Sequence, residues 1–379
     1  MTDPRTPVLV AARRTPIGTA GHALKDVTAV DLAHLVLRAV GGDALDADPS
    51  HVVLGNCMGP GGNVARVASL AAGFDLSVPA MTVDLQCGSG LAAVTTACAL
   101  VRSGSADTVV AGGVESASTA PWRLWPPVDG GAPQRYARAP FSPVDIGDPE
   151  MGEAADEVAR SRGITRPRQD AYAVRSHARA AAARAAGRFD DELVPLPGLD
   201  HDERVRDRLS ASTLARLPTA FSPAGTVTAG NACGINDGGA AVAVVTEARR
   251  RADGIPGLAC LDWETVGCDP NLPGLGPVPA VRNLLRRNGI TLDDIGVIEV
   301  NEAFAAQVLA CCDELGLDEE RVCADGGALA LGHPWGASGA VLAVRLFTQM
   351  VRRDGPELGL ATIAVGGGQG VALLVRRVG

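Results

Sequence analysis

Two distant stretches of this chain carry the same blocks in the same order, and that internal repeat constrains the fold more than any other feature. HVVLGN (51–56) matches GVIEVN (296–301), each an apolar run ending on an asparagine. LQCGSGLAAV (85–94) matches LGHPWGASGAVLAV (331–344), each a Gly-rich entry into a run of small residues, with Cys87 and His333 in corresponding places. DTVVAGGVES (107–116) matches ATIAVGGGQG (361–370). Ordered matches of this kind imply two copies of one βα unit facing each other. Short β-branched runs alternate with Ala-rich stretches throughout, which is the pattern of an α/β protein. Strands are expected at 8–12, 51–55, 81–84, 108–112, 240–246, 257–265, 297–300 and 362–365. Helices are expected at 29–39, 89–103, 169–186, 279–288, 302–315 and 337–353, with one more in MGEAADEVARSRGI after residue 150.

Between the copies the texture changes. APWRLWPPVDGGAPQRYARAPFSPVDIGDPE (120–150) is rich in proline and holds two of the four tryptophans, so it reads as a long irregular insertion covering something. The tryptophans are expected to anchor it rather than to narrow a pocket. The following helix carries Arg168, Arg175, His177, Arg179 and Arg184. A solvated helix face explains them better than a phosphate site does.

Composition removes several function classes. The net charge is -9, from 43 acidic against 34 basic residues with no long like-charge block, which disfavours a nucleic-acid wrap. No apolar run approaches the roughly 18 residues of a membrane span, and MTDPRTPVLVAARRTPIG lacks the apolar core of a signal peptide, so a cytoplasmic location is expected. Nine cysteines without C-x-x-C pairs fit neither a disulfide framework nor a zinc site, and no metal is expected.

One cysteine stands out by its neighbours. In MTVDLQCGSGLAAV a strand leads through Cys87 and a glycine turn into a helix, the setting of a nucleophile elbow, where the helix N-terminus is expected to favour a thiolate. Its base is expected to be His333, the one histidine in a Gly-rich turn before a helix. Asn301 in VNEAFAAQ offers an amide to orient a water or an oxyanion, with Glu302 next to it. A serine elbow is out of frame, since CGSGL displaces Ser89, and GGGQG lacks the G-K-[ST] ending of a phosphate loop.

Together, QCGSGLAAV, GTVTAGNACGINDGGAA (225–241), VNEAFA, GGALALGHPWGASG and GGGQG resemble the signature blocks of the thiolases, in that family's order and over essentially the whole chain. The resemblance implies acyl-CoA acyltransferases that cleave or form β-ketoacyl-CoA through an acyl-cysteine. It implies a five-layered αβαβα fold of two similar halves: 1–119 with 188–250, an inserted loop or lid at 120–187, and 251–379. It further implies a homodimer or homotetramer, with other acyltransferase subunits as conceivable partners, and coenzyme A thioester as substrate rather than a resident cofactor. By carry-over Cys87 takes the acyl group, His333 activates it, and Asn301 holds a water at the thioester carbonyl. Met151 lines the substrate pocket, and His177 and Cys233 fall where the family contacts coenzyme A.

The chain departs from the pattern at Ala364. The family carries a second cysteine two residues before the glycine triplet, here Gly366, Gly367 and Gly368, and that cysteine is its acid/base on the substrate carbon. An alanine cannot titrate, and loss of a general acid/base typically costs about 10²- to 10⁴-fold. Acyl-enzyme formation needs only Cys87, His333 and backbone N–H groups of Cys87 and Gly366. Three readings stay open: Cys233, where the family commonly has serine, replaces the missing thiol; the acyl group passes to water, an amine or an already acidic carbon; or the chain is a scaffold subunit.

Overall fold

The computed structural model describes residues 3–379. The first half opens with β1 (Pro7–Arg14), β2 (Gly18–Thr19), α1 (Ala29–Ala44), β3 (His51–Gly55), α2 (Val64–Ala71), β4 (Ala80–Val83), α3 (Ser89–Ser103) and β5 (Thr108–Ser116). The insertion holds the hairpin β6 (Arg123–Trp125) and β7 (Gln134–Tyr136), then α4 (Met151–Arg162) and α5 (Arg166–Ala185), and the short α6 (Ala211–Leu214) comes after it. β8 (Asn236–Thr246) and α7 (Glu247–Asp253) return to the first half. The second half runs β9 (Gly257–Gly267), α8 (Pro277–Asn288), β10 (Val297–Val300), α9 (Ala305–Leu315), α10 (Ala328–Leu331), α11 (Trp335–Phe347), β11 (Leu358–Val365) and β12 (Gln369–Val378).

The strand path is β10-β11-β12-β9-β1-β8-β5-β3-β4, with β2 on β8. The halves meet where Val8 and Leu9 of β1 lie opposite Ala259 and Leu258 of β9. Within each half the order is the same: β3, β5, β8 and β1 correspond to β10, β11, β12 and β9. Both sheet faces are buried, which is why the strands read as continuous apolar runs. Val53, Val109, Ala111, Ala361 and Ile363 face a central layer made by α3 and α11. Val52, Leu54 and Val110 face α1 and α2 on one outside, and Leu360, Ala372 and Leu374 face α8 and α9 on the other. The result is the expected layering of helices, sheet, helices, sheet, helices.

The central helices set the two-fold relation. A Cβ on Gly90 would stand 2.8 Å from the Ala340 nitrogen, and one on Gly339 would stand 2.3 Å from that of Leu91, so each glycine lets the other helix's backbone in. Gly90 is therefore the counterpart of Gly339, which makes Cys87 the counterpart of Gly336, not of His333 as the sequence blocks had it. The ladders agree: Gly55, before Asn56, pairs with Gly113, and Val300, before Asn301, pairs with Thr362. Glu115 thus corresponds to Ala364 rather than to Gln369. The block alignment matched glycine-rich turns to each other, whereas the strand register is fixed by burial on both faces.

The insertion is tied to the second half. Arg168 pairs with Asp313 and Glu319, Arg175 and Arg179 with Glu320, so these α5 cations are engaged by carboxylates. Trp122 is 73% and Trp125 48% exposed; Trp125 stacks on Tyr136 and Arg135 lies over Trp122. They hold their own hairpin and do not line the cavities described next.

Candidate active site

The elbow before α3 is built from polar contacts within a few residues. Gln86 is held at φ +46°, a left-handed backbone rare for a residue with a side chain. Ser89 stabilises it: its Oγ donates to the Gln86 carbonyl (2.6 Å) and accepts from the Leu85 N–H (2.8 Å). This turn carries Cys87 out of the strand and sets its thiol before the first turn of α3. Burial pushes the Cys87 thiol up to about 12, with Cys233 adding to the shift, while the N–H groups of Cys87 and Gly366 oppose it. The expectation that the helix N-terminus yields a resting thiolate is therefore corrected, because desolvation outweighs those dipoles.

His333 sits just before α11, 2% exposed, with its backbone N–H held by Asn236 Oδ1 at 2.9 Å. Its Nδ1 lies 2.6 Å from Ser338 Oγ and its Nε2 lies 3.5 Å from Asn301 Nδ2. An amide nitrogen can only donate, so Nε2 is the acceptor and Nδ1–H donates to Ser338. The imidazole, which lines the chamber described next, thus carries no proton on Nε2. Burial brings its pKa down to about 4, so His333 is neutral at neutral pH. Sequence reasoning passed over Ser338; its place one helical turn into α11, on the side facing His333, was the available signal.

Cys87, His333, Cys233 and Ala364 line one inner chamber of about 100 Å³, together with Met151, Phe304, Gln307 and Gly366. An outer cavity of about 520 Å³ shares Cys87, Met151, Cys233, Phe304 and Trp335 with it and is rimmed by Arg138, Phe141 and Phe221. The two form a channel from the surface to the thiol, large enough outside for a drug-sized ligand. The insertion supplies much of its wall. Gly366, Gly367 and Gly368 form the turn between β11 and β12, the last two at φ +83° and +81°. A Cβ on Gly366 would strike Phe141 at 2.8 Å. The glycines let this backbone come up against the insertion while the Gly366 N–H faces the thiol.

Cys233 reaches the chamber because its N–H bonds the Ala303 carbonyl at 2.9 Å, tying the 228–235 segment to the loop after Asn301. Burial pushes its thiol up to about 12, and Arg204 opposes the shift. Arg204 donates to the carbonyls of Leu329, Ala229 and Ala232, and no carboxylate pairs with it among the described residues. Its Nη1 lies against Gly234, where a Cβ would stand 2.7 Å away.

Other predicted residues are placed differently. His177 lines neither cavity: it is buried in α5, accepts from the Arg206 N–H at 3.1 Å, and is pushed down to about 4 by burial and then by Arg204 and Arg206. Glu302 points away from the thiol, accepting from Tyr172 Oη (2.8 Å), Ser176 Oγ (2.6 Å) and the Leu329 N–H (3.2 Å). At the mirror position of Ala364, the Glu115 carboxylate takes Asn56 Nδ2 and the N–H groups of Cys57, Met58 and Gly336. The chamber opens where the second half has a methyl in place of that carboxylate.

Residues 7–248 match the thiolase N-terminal domain and residues 256–377 the thiolase C-terminal domain. The chain belongs to the thiolase family. It is 42% identical over 392 residues to the acetyl-CoA acetyltransferase of Pseudomonas aeruginosa, covering 98% of this chain and 99% of that one. It is 41% identical to that of Cupriavidus necator, with coverage of 98% and 99%. Among solved structures, the Bacillus anthracis acetyl-CoA acetyltransferase superposes with a TM-score of 0.91 at 37% identity, covering 98% of this chain and 99% of that one. The human mitochondrial 3-ketoacyl-CoA thiolase in complex with CoA gives 0.91 at 33%, with 99% of each chain covered. This thiolase is accordingly an acyltransferase with an α/β thiolase fold. No described helix is long and apolar enough to cross a membrane.

Proposed function

We propose that this thiolase transfers short acyl groups between coenzyme A thioesters through an acyl-Cys87 intermediate, and that Cys233 moves the proton on the substrate carbon in place of the family cysteine that Ala364 replaces. The observation that carries this reading is the shared chamber: among its lining residues only Cys87, His333 and Cys233 titrate. In cleavage, Cys87 gives its proton to His333 Nε2 as its sulfur attacks the keto carbon. The bond between that carbon and the α carbon breaks, its electron pair goes to the α carbon, and Cys233 protonates it. Arg204, lacking a carboxylate partner, is the counter-charge for the Cys233 thiolate left behind. The thiol of coenzyme A then returns a proton to Cys233 and attacks the acyl-Cys87 carbonyl, whose oxygen is held by the Cys87 and Gly366 N–H groups. The departing Cys87 sulfur recovers its proton from His333.

In this reading the 120–187 insertion acts as a lid between the 1–119 plus 188–250 half and the 251–379 half, contributing Arg138, Phe141 and Met151 to the channel. His177 acts on coenzyme A indirectly, by fixing the segment at Arg206. A homo-oligomer is the assembly proposed.

The test compares thiolysis of acetoacetyl-CoA with acetylation of Cys87 in wild type and in Cys233→Ala. Thiolysis is expected to fall about 10²- to 10⁴-fold while acetylation persists. Undiminished thiolysis in the variant would remove Cys233 from the mechanism.

A further inference from the structure

One residue lining the inner chamber carries a buried acceptor with nothing to accept. Gln307, in the first turn of α9, is 1% exposed and lines the chamber with Ala154, Ala155, Pro273 and Gly274. Its Oε1 is buried and has no hydrogen-bond partner among the described residues. The other end of the amide is fixed by a short relay: Nε2 donates to Cys311 Sγ (3.6 Å), and that thiol donates to the Gly274 carbonyl (3.3 Å). Because Sγ uses its proton on Gly274, it can only accept from Gln307, so the relay dictates which amide atom is left free. Buried polar atoms are satisfied in the great majority of proteins, and one that is not calls for an explanation.

We infer that Gln307 selects the acyl group, and that this thiolase favours short acyl chains bearing a hydrogen-bond donor, hydroxyacyl thioesters above all. This rests on the acyl-Cys87 reading given above. A chamber of about 100 Å³ is smaller than the roughly 150 Å³ cavity that admits a benzene, which fits a chain of a few heavy atoms. Of the other lining side chains, His333, Cys87 and Cys233 are given to the acyl chemistry, and Met151, Ala154, Ala155, Pro273 and Phe304 carry no oxygen or nitrogen acceptor. Without Gln307 Oε1, a methyl-terminated chain would win over its hydroxyl isostere, since burying an unpaired hydroxyl is costly. With Oε1 waiting, the order reverses.

The experiment measures the rate of Cys87 acylation, by mass spectrometry of the intact protein, for two isosteric pairs: glycolyl-CoA against propionyl-CoA, and 3-hydroxypropionyl-CoA against butyryl-CoA, with acetyl-CoA as reference. The expected result is that wild type prefers the hydroxyl member of at least one pair by about 5- to 10-fold, and that Gln307→Leu abolishes or inverts the preference. If wild type acylates both members of each pair equally, or favours the methyl, the inference is wrong and Oε1 meets only water. The wild-type comparison decides even if Gln307→Leu does not fold. Acylation by acetyl-CoA alone also overturns it, while leaving the acyl-enzyme reading intact. No adduct from any thioester, acetyl-CoA included, sinks the acyl-enzyme reading and this inference with it.

Discussion

At residue scale the site works through a neutral pair. A thiol pushed up to about 12 and an imidazole pushed down to about 4 hold no charge between them at neutral pH, and in the proposed mechanism the proton crosses only when a thioester arrives. Ser338 keeps that crossing aimed at Nε2 by holding Nδ1–H. Ser338→Ala leaves the imidazole free to take the other tautomer, and loss of one buried hydrogen bond of ~1–3 kcal/mol corresponds to about 5- to 150-fold. The expected outcome is a fall in acylation rate of that size with KM little changed; a change in KM alone would speak for a purely structural serine. Cys87 and His333, which the fold brings to one chamber, stood out in the sequence because few residue types carry such chemistry and their glycine settings are unusual. Ser338 and Gln307 did not, because serine and glutamine occur everywhere and only burial and missing partners distinguish these two.

At the scale of elements, the strand and helix positions followed from periodicity, but their mutual register did not. β3 and β10 begin and end where the apolar runs do, whereas the pairing of Glu115 with Ala364 depends on how α3 and α11 cross. β12, whose run GVALLVRRV follows directly on the glycine turn, was not among the expected strands, although it is buried on both faces like β8. His177 shows how an element's interior titration reaches the whole. Its ordinary pKa of 6.5 is held down near 4 in the fold. The unfolded chain therefore takes up a proton below about pH 6.5 that the native state refuses until about pH 4, and stability present above that window is lost as pH falls through it. The loss amounts to about 3 kcal/mol at most. In His177→Asn, whose Oδ1 can still accept from the Arg206 N–H, urea unfolding measured from pH 7 to 4 is expected to give a shallower decline than wild type. Parallel curves would show that His177 does not carry the shift.

At the scale of the molecule, the halves are joined by a buried ionic chain. Glu192 accepts from Arg14 Nε at 2.7 Å and from Arg345; Arg14 also reaches Asp202 at 2.6 Å, and Arg345 reaches Asp325 at 2.6 Å. Arg14 ends β1 and Arg345 lies on α11, so the chain fastens the first sheet to the helix that follows His333. Glu192→Ala leaves two buried guanidinium groups short of a partner, and an equilibrium denaturation midpoint lowered by the equivalent of about 3–5 kcal/mol is expected. A loss below about 1 kcal/mol would mean that the remaining carboxylates suffice. None of this chain was visible in the sequence, since its members are scattered from Arg14 to Arg345. The chamber belongs to the same scale: the first half gives Cys87, the insertion Met151, and the second half His333, Gln307 and Ala364.

The intermediate proposed for this chamber is an acyl group on Cys87. Incubation with acetyl-CoA followed by peptide mass mapping should find one acetyl group per chain, on the peptide containing Cys87, absent in Cys87→Ala and retained in Cys233→Ala. An unmodified Cys87, or an acetyl group that stays when Cys87 is replaced, would contradict it.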